Sequence, residues 1–250
     1  MAASAPPAAD LLSLWERAAA TGPVDRSRVL LAAARPEWPD AALDRVGLGQ
    51  REAWLLALRR QLFGDRLRAA VSCPDCASDL ALSLPSDDVV FEAPQSDAEG
   101  GRPVSVTARG YAVEARTPEA ADLAAAAAAG DVLAVRAALI ERCVTSATRN
   151  GEPVDAGALP DDVVAALGAA VAEADPQAEL LLDVVCAFCG RRWAAALDVA
   201  EFLWKEIDAA AHRLVDEVAA LARAFGWSEG EVLALSPARR KTYVERALDG

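Results

Sequence analysis

The chain has 250 residues, of which 54% are hydrophobic and 5% aromatic, and its 38 acidic residues outnumber its 25 basic residues, so the net charge is −13. This length is ample for the buried core of one or two domains, and the leucine, valine and tryptophan spread along the chain argue against intrinsic disorder. The negative charge argues against a protein that binds nucleic acid or anionic lipid over a broad surface.

A membrane span and a secretion signal are not expected. A span needs about 18 consecutive apolar residues, and the nearest candidate is the run of six alanines at residues 124–129. The first ten residues, MAASAPPAAD, lack the charged and apolar regions of a signal peptide. We therefore expect a cytoplasmic protein with no membrane partner.

The N-terminal part is predicted to be helical. Apolar residues recur at helical spacing in residues 11–20 and 23–34, with Gly22 and Pro23 as the break between two helices. A third helical pattern begins near residue 48, and Gly64 follows it as a C-terminal cap. Residues 1–70 are therefore expected to form a small helical bundle.

Four of the five cysteines form two pairs of the type Cys-x-x-Cys, namely Cys73 with Cys76 and Cys186 with Cys189. Such a turn directs both sulfurs to one point, and two turns complete a tetrahedral zinc site. A redox pair would need one such motif at the start of a helix, and a disulfide is disfavoured in the cytosol. We expect a structural zinc ion, with Cys143 as a small core residue.

Short strand-like segments flank both pairs. Apolar residues alternate at the same offsets after each pair, at Leu80, Leu82 and Leu84 in one case and at Trp193, Ala195 and Leu197 in the other. The pattern predicts two β-knuckles, at residues 71–84 and 180–198, that meet across one metal ion as a split zinc ribbon.

Residues 85–179 form a predicted insert between the knuckles. Residues 77–190 carry 19 acidic and 6 basic side chains, a balance of −13, whereas the two ends of the chain are nearly neutral. The insert is predicted to begin with a loop at residues 94–103 and a hairpin around Arg109 and Gly110. Helices are then expected at residues 122–129 and 131–144, with the hydroxyl of Thr117 as the first cap, followed by a turn-rich loop at residues 149–157 and a further helix, so the insert has mixed α/β character. The charge indicates either a solvated face or a surface for a partner rich in arginine and lysine.

Residues 199–250 are predicted to hold a long helix capped by Asp198, a break at Gly226, and two short helices. The apolar stripe of the long helix favours core packing, while partner contact remains an alternative for Trp204, Phe225 and Trp227. The expected fold class is mainly α with small β: an N-terminal helical bundle, two knuckles in a split zinc ribbon, an α/β insert, and a long C-terminal helix with short helices.

No catalytic site is expected. His212 is a lone helical histidine with no nucleophile tied to it by a motif, and the acidic pairs Asp87–Asp88 and Asp161–Asp162 lie where capping explains them. The chain has neither a phosphate-binding loop nor a glycine-rich dinucleotide turn. We expect a protein that is not an enzyme and has no small-molecule substrate.

The order of these motifs resembles that of the zinc-knuckle baseplate-assembly proteins of contractile phage tails and related contractile injection systems. The matching segments are LLSLWERA, RVLLAAARPEWP, GQREAWLLALRRQLFG running into CPDC, LPDDVVAAL, EADPQAELLLDVVCAFCG, RRWAAALDVAEFLWKEID and the C-terminal RLVDEVAALARAFGWSEGEVLALSPARRKTYVERAL. The resemblance covers nearly the whole chain and is weakest over residues 85–105.

The resemblance implies a cytoplasmic, non-enzymatic assembly chaperone or minor structural component of the baseplate or hub of a phage tail-like particle. Its partners would be baseplate or hub proteins, bound by protein–protein contacts, and retention in the finished particle stays open. By position, Cys73, Cys76, Cys186 and Cys189 match the family's knuckles. The sequence departs from the pattern at Ala77, where glycine is usual, and at Ala187, where proline is usual. The alternative is a zinc-ribbon regulatory or nucleic-acid-binding protein.

Overall fold

The structure, a computed structural model, describes residues 7–89 and 100–248. Over these residues the helices are α1 (Ala8–Ala19), α2 (Pro23–Ala34), α3 (Asp40–Asp44), α4 (Leu48–Phe63), α5 (Ala120–Ala127), α6 (Val132–Cys143), α7 (Asp161–Ala174), α8 (Val199–Phe225), α9 (Glu229–Leu233) and α10 (Pro237–Leu248). The strands are β1 (Arg66–Ser72), β2 (Asp79–Pro85), β3 (Pro103–Ala108), β4 (Tyr111–Arg116), β5 (Val144–Arg149), β6 (Glu152–Pro153), β7 (Leu181–Val185) and β8 (Arg192–Ala196). Most of the described chain is helical, with small antiparallel sheets, as the sequence predicts.

The largest core lies between the N-terminal helices and α8. Leu203 and Ile207 of the predicted α8 stripe are fully buried there, and they pack with α2, α4 and the start of β1. The buried apolar residues of this core include Leu30, Leu31, Leu43, Trp54, Leu55, Leu56, Leu67 and Val199. Two ends of the sequence that lie far apart in the chain therefore share one apolar core, which is the main contribution to its stability.

A buried arginine joins the end of α4 to α8. The guanidinium of Arg59, only 2% exposed, donates to both carboxylate oxygens of Glu206 at 2.8 and 2.9 Å. It also donates to the carbonyl oxygens of Gly64 and Arg66, each at 2.6 Å. Each of the three guanidinium nitrogens therefore has an acceptor, and the ion pair joins residues that are 147 positions apart in the sequence.

The two predicted knuckles are antiparallel ribbons. β1 pairs with β2 so that Ser72 lies opposite Asp79, and β7 pairs with β8 so that Val185 lies opposite Arg192. The alternating apolar side chains of both ribbons turn toward each other and form a small cluster that includes Val71, Leu80, Leu82, Leu182, Val184, Trp193 and Ala195. This contact brings residues from before and after the insert together.

The insert consists of a four-stranded antiparallel sheet in the order β3-β4-β5-β6, with α7 packed against it. Val163 and Leu167 of α7 are buried against Val104 and Val113 of the sheet. The predicted hairpin is β3–β4, with Arg109 and Gly110 both at positive φ in the turn. The part of the predicted polar loop at residues 94–99 lies outside the described residues.

Two predictions for the insert are wrong in detail. Thr117 does not cap α5, because its hydroxyl accepts a hydrogen bond from the backbone N–H of Arg102 at 2.9 Å; Glu119 and Asp122 form the capping box instead. Strands β5 and β6 were not predicted: the expected helix ends at residue 144 and the expected loop begins at residue 149, whereas β5 spans Val144–Arg149 and β6 lies within the loop. β5 follows Cys143 with no turn residue between, and it is a strand because β4 supplies its hydrogen bonds.

Backbone hydrogen bonds attach the insert to the helical body near residues 45–49. The N–H of Ala120 donates to the carbonyl of Val46 at 2.8 Å, and the N–H of Gly100 donates to that of Arg45 at 3.0 Å. At the other end of the insert, buried Asp175 accepts from the N–H of Gly49 at 2.9 Å. A Cβ at Gly49 would lie 1.9 Å from that carboxylate, so only glycine permits this approach.

The C-terminal elements agree with the predicted caps. Asp198 accepts from the N–H of Glu201, Gly226 ends α8 in the left-handed conformation, and Ser228 with Glu231 forms a capping box for α9. Phe225 and Trp227 make edge contacts with Tyr243 of α10, and Phe225 remains 43% exposed. Trp204 is covered by the guanidinium of Arg26 at 4.3 Å.

Over residues 7–89 and 100–248, none of the helices combines the length and the apolar character that crossing a bilayer would require.

We predict that Arg59→Lys lowers the free energy of unfolding by about 2–4 kcal/mol, because one ammonium group cannot replace the guanidinium fork and leaves buried acceptors unpaired. The matched control is Arg60→Lys, whose side chain is 48% exposed and pairs with Asp65 and Asp87. The control is expected to change stability by less than about 0.5 kcal/mol. Urea denaturation measures the free energy of unfolding of both variants, and an equal loss in Arg59→Lys and Arg60→Lys would contradict the importance of the buried pair.

Candidate metal centre

Each cysteine pair lies in a tight turn that joins the two strands of a ribbon. In the first turn the N–H of Cys73 donates to the carbonyl of Ser78, and the N–H of Ala77 donates to that of Cys73, both at 2.9 Å. In the second turn Cys186 and Gly190 repeat these bonds at 2.8 and 3.0 Å. The two knuckles therefore share one backbone geometry, which fixes the direction of their thiols.

The fifth residue of each turn has positive φ, +57° at Ala77 and +75° at Gly190. Glycine adopts this conformation freely, whereas a residue with a Cβ does so at a cost of about 1–2 kcal/mol. Ala77 closes the first turn in the same way as Gly190 closes the second. The missing glycine thus adds local strain and leaves the geometry of the turn intact.

The structure brings all four predicted ligands together. Their Sγ atoms lie within 4.8 Å of one another, with 3.6 Å between Cys73 and Cys189 and 3.6 Å between Cys76 and Cys186. Four sulfurs bound to one zinc ion at about 2.3 Å would lie about 3.8 Å apart, whereas a disulfide needs about 2 Å. The cluster therefore has the dimensions of a four-thiolate metal site, and the four cysteines are free thiols.

Burial of the cysteines follows the same order in both knuckles. Cys73 and Cys186, the first of each pair, are each 2% exposed and form part of the apolar cluster between the ribbons. Cys76 and Cys189, the second of each pair, are exposed. A metal ion held here would have one side on an apolar base and the other near solvent, and all four positions of a tetrahedron would be filled by sulfur.

The surroundings of the thiols shift their pKa values in opposite directions. Hydrogen bonds from the side chain and backbone of Ser78 lower the pKa of Cys76 to about 6. The N–H of Arg191 acts to lower the pKa of Cys189, but desolvation and the three neighbouring thiols outweigh it and raise that pKa to about 12. A bound cation would favour the thiolate form of both residues, because a coordinating thiol is deprotonated.

Two features of the cluster were not predicted from sequence. The Sγ of Cys76 lies 3.4 Å from the hydroxyl of Ser78, and Arg191 of one knuckle lies 3.7 Å from Asp75 of the other. A serine two positions after a Cys-x-x-Cys pair is a detectable signal for the first contact. The second joins residues 116 positions apart and depends on how the ribbons face each other.

The other titratable residues considered from sequence lie apart from the cluster. His212, 63% exposed in its side chain, contacts Asp208 at 3.6 Å and the edge of Trp15. Cys143 is buried, and burial raises the pKa of its thiol to about 11, so it is a poor nucleophile. Asp161 pairs with Arg136 at the start of α7.

Comparison with known proteins gives one family. A family model described as T4 bacteriophage base plate protein matches residues 40–204, about two thirds of the chain. The match begins at α3, includes both cysteine pairs and the insert, and ends in the first turns of α8. Among curated proteins and among solved structures, nothing matches this chain.

We predict that Ala77→Gly raises the free energy of unfolding by about 1 kcal/mol, because it relieves the left-handed strain of the first knuckle. The same change at Ala81, an exposed position of β2, is the control and should lower stability, because glycine weakens a strand interior. The reciprocal change, Gly190→Ala, should cost about 1 kcal/mol. Chemical denaturation measures all three, and a loss of stability in Ala77→Gly would contradict the strain.

Proposed function

This chain belongs to the T4 bacteriophage base plate protein family, and we propose that it is a non-enzymatic assembly factor or minor structural component of the baseplate or hub of a contractile, phage tail-like particle. The observation that carries the proposal is the family match, which spans both halves of the cysteine cluster and the insert between them. The partners proposed are the other baseplate or hub proteins, met in the cytoplasm where such a particle is built.

The proposed cofactor is a structural zinc ion held by Cys73, Cys76, Cys186 and Cys189. Four thiolates with no open position suit a closed structural site, and soft thiolate ligands favour zinc over the oxygen-seeking cations. The ion would join the end of the N-terminal part to the start of the C-terminal part, across 110 positions between Cys76 and Cys186. It would therefore hold the two ribbons together and take no part in a reaction.

Absence of catalysis is part of the proposal. Several titratable residues in the described parts of the chain form structural ion pairs: the Asp122 carboxylate pairs with Arg116 and Arg142, and the Glu217 carboxylate pairs with Arg240. A closed cluster of four thiolates leaves no position for an activated water molecule. These arrangements support a role in holding proteins together.

The acidic insert is proposed to steer the partner. Residues 100–179 carry 12 acidic and 6 basic side chains, and backbone hydrogen bonds at Gly100 and Ala120 hold this charge against the helical body. A fixed acidic surface raises the rate of encounter with a basic protein and selects against acidic ones. The rate of assembly is therefore expected to fall at high salt.

The regulatory or nucleic-acid-binding alternative has less support at the knuckles. Arg191 is paired with Asp75, and Asp79 and Asp183 lie on the same ribbons, so the basic residues there are balanced by carboxylates. A nucleic-acid surface would need an excess of positive charge with interleaved aromatic residues.

We predict that chelation lowers the melting temperature of the purified protein by about 10 °C or more, because loss of the metal opens a loop of more than a hundred residues. Cys186→Ser should show the lower melting temperature without chelator and no further response to it. Cys143→Ala, which removes a buried thiol outside the cluster, is the control and should keep the full chelator response. Elemental analysis identifies the metal, and unchanged melting in all samples would remove the metal from the proposal.

Gradient fractionation of native lysate tests the assembly role. We expect the protein either in the fractions of sheathed tail particles, as a baseplate component, or in light fractions beside free hub or baseplate subunits, as a chaperone. Cys186→Ser is expected to lose both associations, because the two ribbons from which the acidic insert extends would separate. Absence of tail proteins from every fraction that contains the protein would overturn the proposal and favour the zinc-ribbon regulator.

A further inference from the structure

Helix α6 packs against α5, but its first turn is exposed to solvent. Its 12 residues, VLAVRAALIERC, include nine apolar ones, yet Cys143 at its end is the one that is buried. Val132 is 83% exposed and Leu133 is 75% exposed. Five further apolar residues are only half-buried, namely Ala134, Val135, Ala138, Leu139 and Ile140. Exposed apolar side chains beside a half-buried apolar stripe indicate a surface that another molecule covers.

One face of α6 forms a wall of an apolar groove. Val132, Val135, Leu139 and Ile140 recur at spacings of three and four, so they share one stripe of the helix and line a groove of about 510 Å³. The stripe runs the length of α6, about 16 Å at 1.5 Å per residue. Leu133 lies outside this groove, although it is equally exposed.

The opposite wall comes from α7. Val164, Leu167, Gly168 and Val171 follow the same spacing along α7, and Leu167 also contributes to the core of the insert. Gly168 leaves the groove wide, because a Cβ built there would meet no atom within 4 Å. Two apolar stripes with a glycine gap between them match the shape of a site that accepts an amphipathic helix through anchors at positions i, i+3/i+4 and i+7.

The surroundings of the groove are acidic. Residues 117–175 hold ten acidic and three basic side chains, and the three arginines are engaged with Asp161, Asp122 and the ring of Tyr111. Asp131 caps α6 directly before Val132, and Asp161, with a carboxylate that is 94% exposed, begins α7. The groove thus offers apolar contacts inside, and Arg136 of its lining is already paired with Asp161, in an insert that has a surplus of carboxylates.

We propose that the α6–α7 groove binds an amphipathic helix of a basic partner protein, with apolar side chains in the groove and lysine or arginine on the flanks. The proposal rests on the assembly role above and specifies the chemistry of the partner. Charge favours this occupant over a second copy, because a second copy carries the same net charge of −13. The basic helix α10 of this chain is also engaged already, through Arg240 with Glu217 and Tyr243 with Trp227.

The test uses the purified full chain and a fluorescent peptide of about 18 residues, with leucines at helical spacing and lysines on the other face. Gly168→Gln should weaken binding at least tenfold, because it fills the groove without meeting a neighbour. Gly230→Gln is the control, since Gly230 is also a helical glycine with open space around it. Val132→Asn should weaken binding several-fold and Leu133→Asn by less than twofold.

The charge of the partner is tested separately. Asp131→Asn keeps a side chain that caps helices well, so α6 stays intact while one acidic charge is lost. It should weaken binding of the lysine peptide and flatten its salt dependence, and a peptide with glutamate in place of lysine should bind at least tenfold more weakly. Fluorescence anisotropy at about 50 and 300 mM salt measures both.

Several outcomes overturn the proposal. Equal binding by wild type and Gly168→Gln would show that the peptide does not use the groove, and equal binding of the glutamate peptide would remove the basic partner. A dimer in solution that Gly168→Gln converts to a monomer would make the occupant a second copy. If peptide binding fails while the protein still sediments with tail proteins, only the groove assignment falls; if the groove binds but no tail protein is met, the assembly role falls.

Discussion

The meeting of four sulfurs from two distant parts of the chain is the constraint on which the rest of the structure depends. Cys76 and Cys186 are 110 positions apart, yet their Sγ atoms lie 3.6 Å from each other. Closing so long a loop has an entropic cost, which the apolar cluster between the ribbons and the buried pair of Arg59 with Glu206 offset. The helical body and the insert are both arranged around this closure.

The closure also dictates how the insert is built. Its chain must leave β2 and return to β7, so both of its ends lie near the same part of the body. Two hydrogen bonds hold these ends: the N–H of Ala120 donates to the carbonyl of Val46, and the carboxylate of Asp175 accepts from the N–H of Gly49 at the start of α4. A sheet with α7 on one side gives the insert its own core, whereas α6 packs against α5 and leaves Val132 and Leu133 exposed.

The sequence predicted the parts of this fold that depend on local chemistry. Short segments determine the Cys-x-x-Cys turns, the apolar alternation after each turn, the cap at Asp198 and the break at Gly226. The structure has all four of these features. The parts it missed depend on distant partners. β5 is a strand because β4 lies beside it, and Thr117 bonds Arg102 because β3 and β4 bring them together.

Arg59, in the helical body next to the cysteine ribbons, also could not be predicted from the local sequence. It follows the apolar run of α4 next to exposed Arg60, and nothing in the local pattern distinguishes the two arginines. Only the approach of Glu206 from α8 makes one of them a buried, fully paired charge. The meeting of the four cysteines was predictable because their spacing is itself the signal, whereas the scaffold that supports them is defined by tertiary contacts.

The distribution of charge differs between the part of the chain that holds the cysteine cluster and the part that holds the α6–α7 groove. Acidic and basic residues are nearly balanced in the segments that build the body, while the insert keeps a surplus of carboxylates after its arginines are paired. Salt screens exposed charges within about 8–10 Å, so the field of the insert acts on molecules that approach the insert itself. Charge alone would attract any basic protein, and an apolar groove alone would accept any amphipathic helix. We propose that a partner which satisfies both is selected by their combination, while the two cysteine ribbons hold the body from which the insert extends.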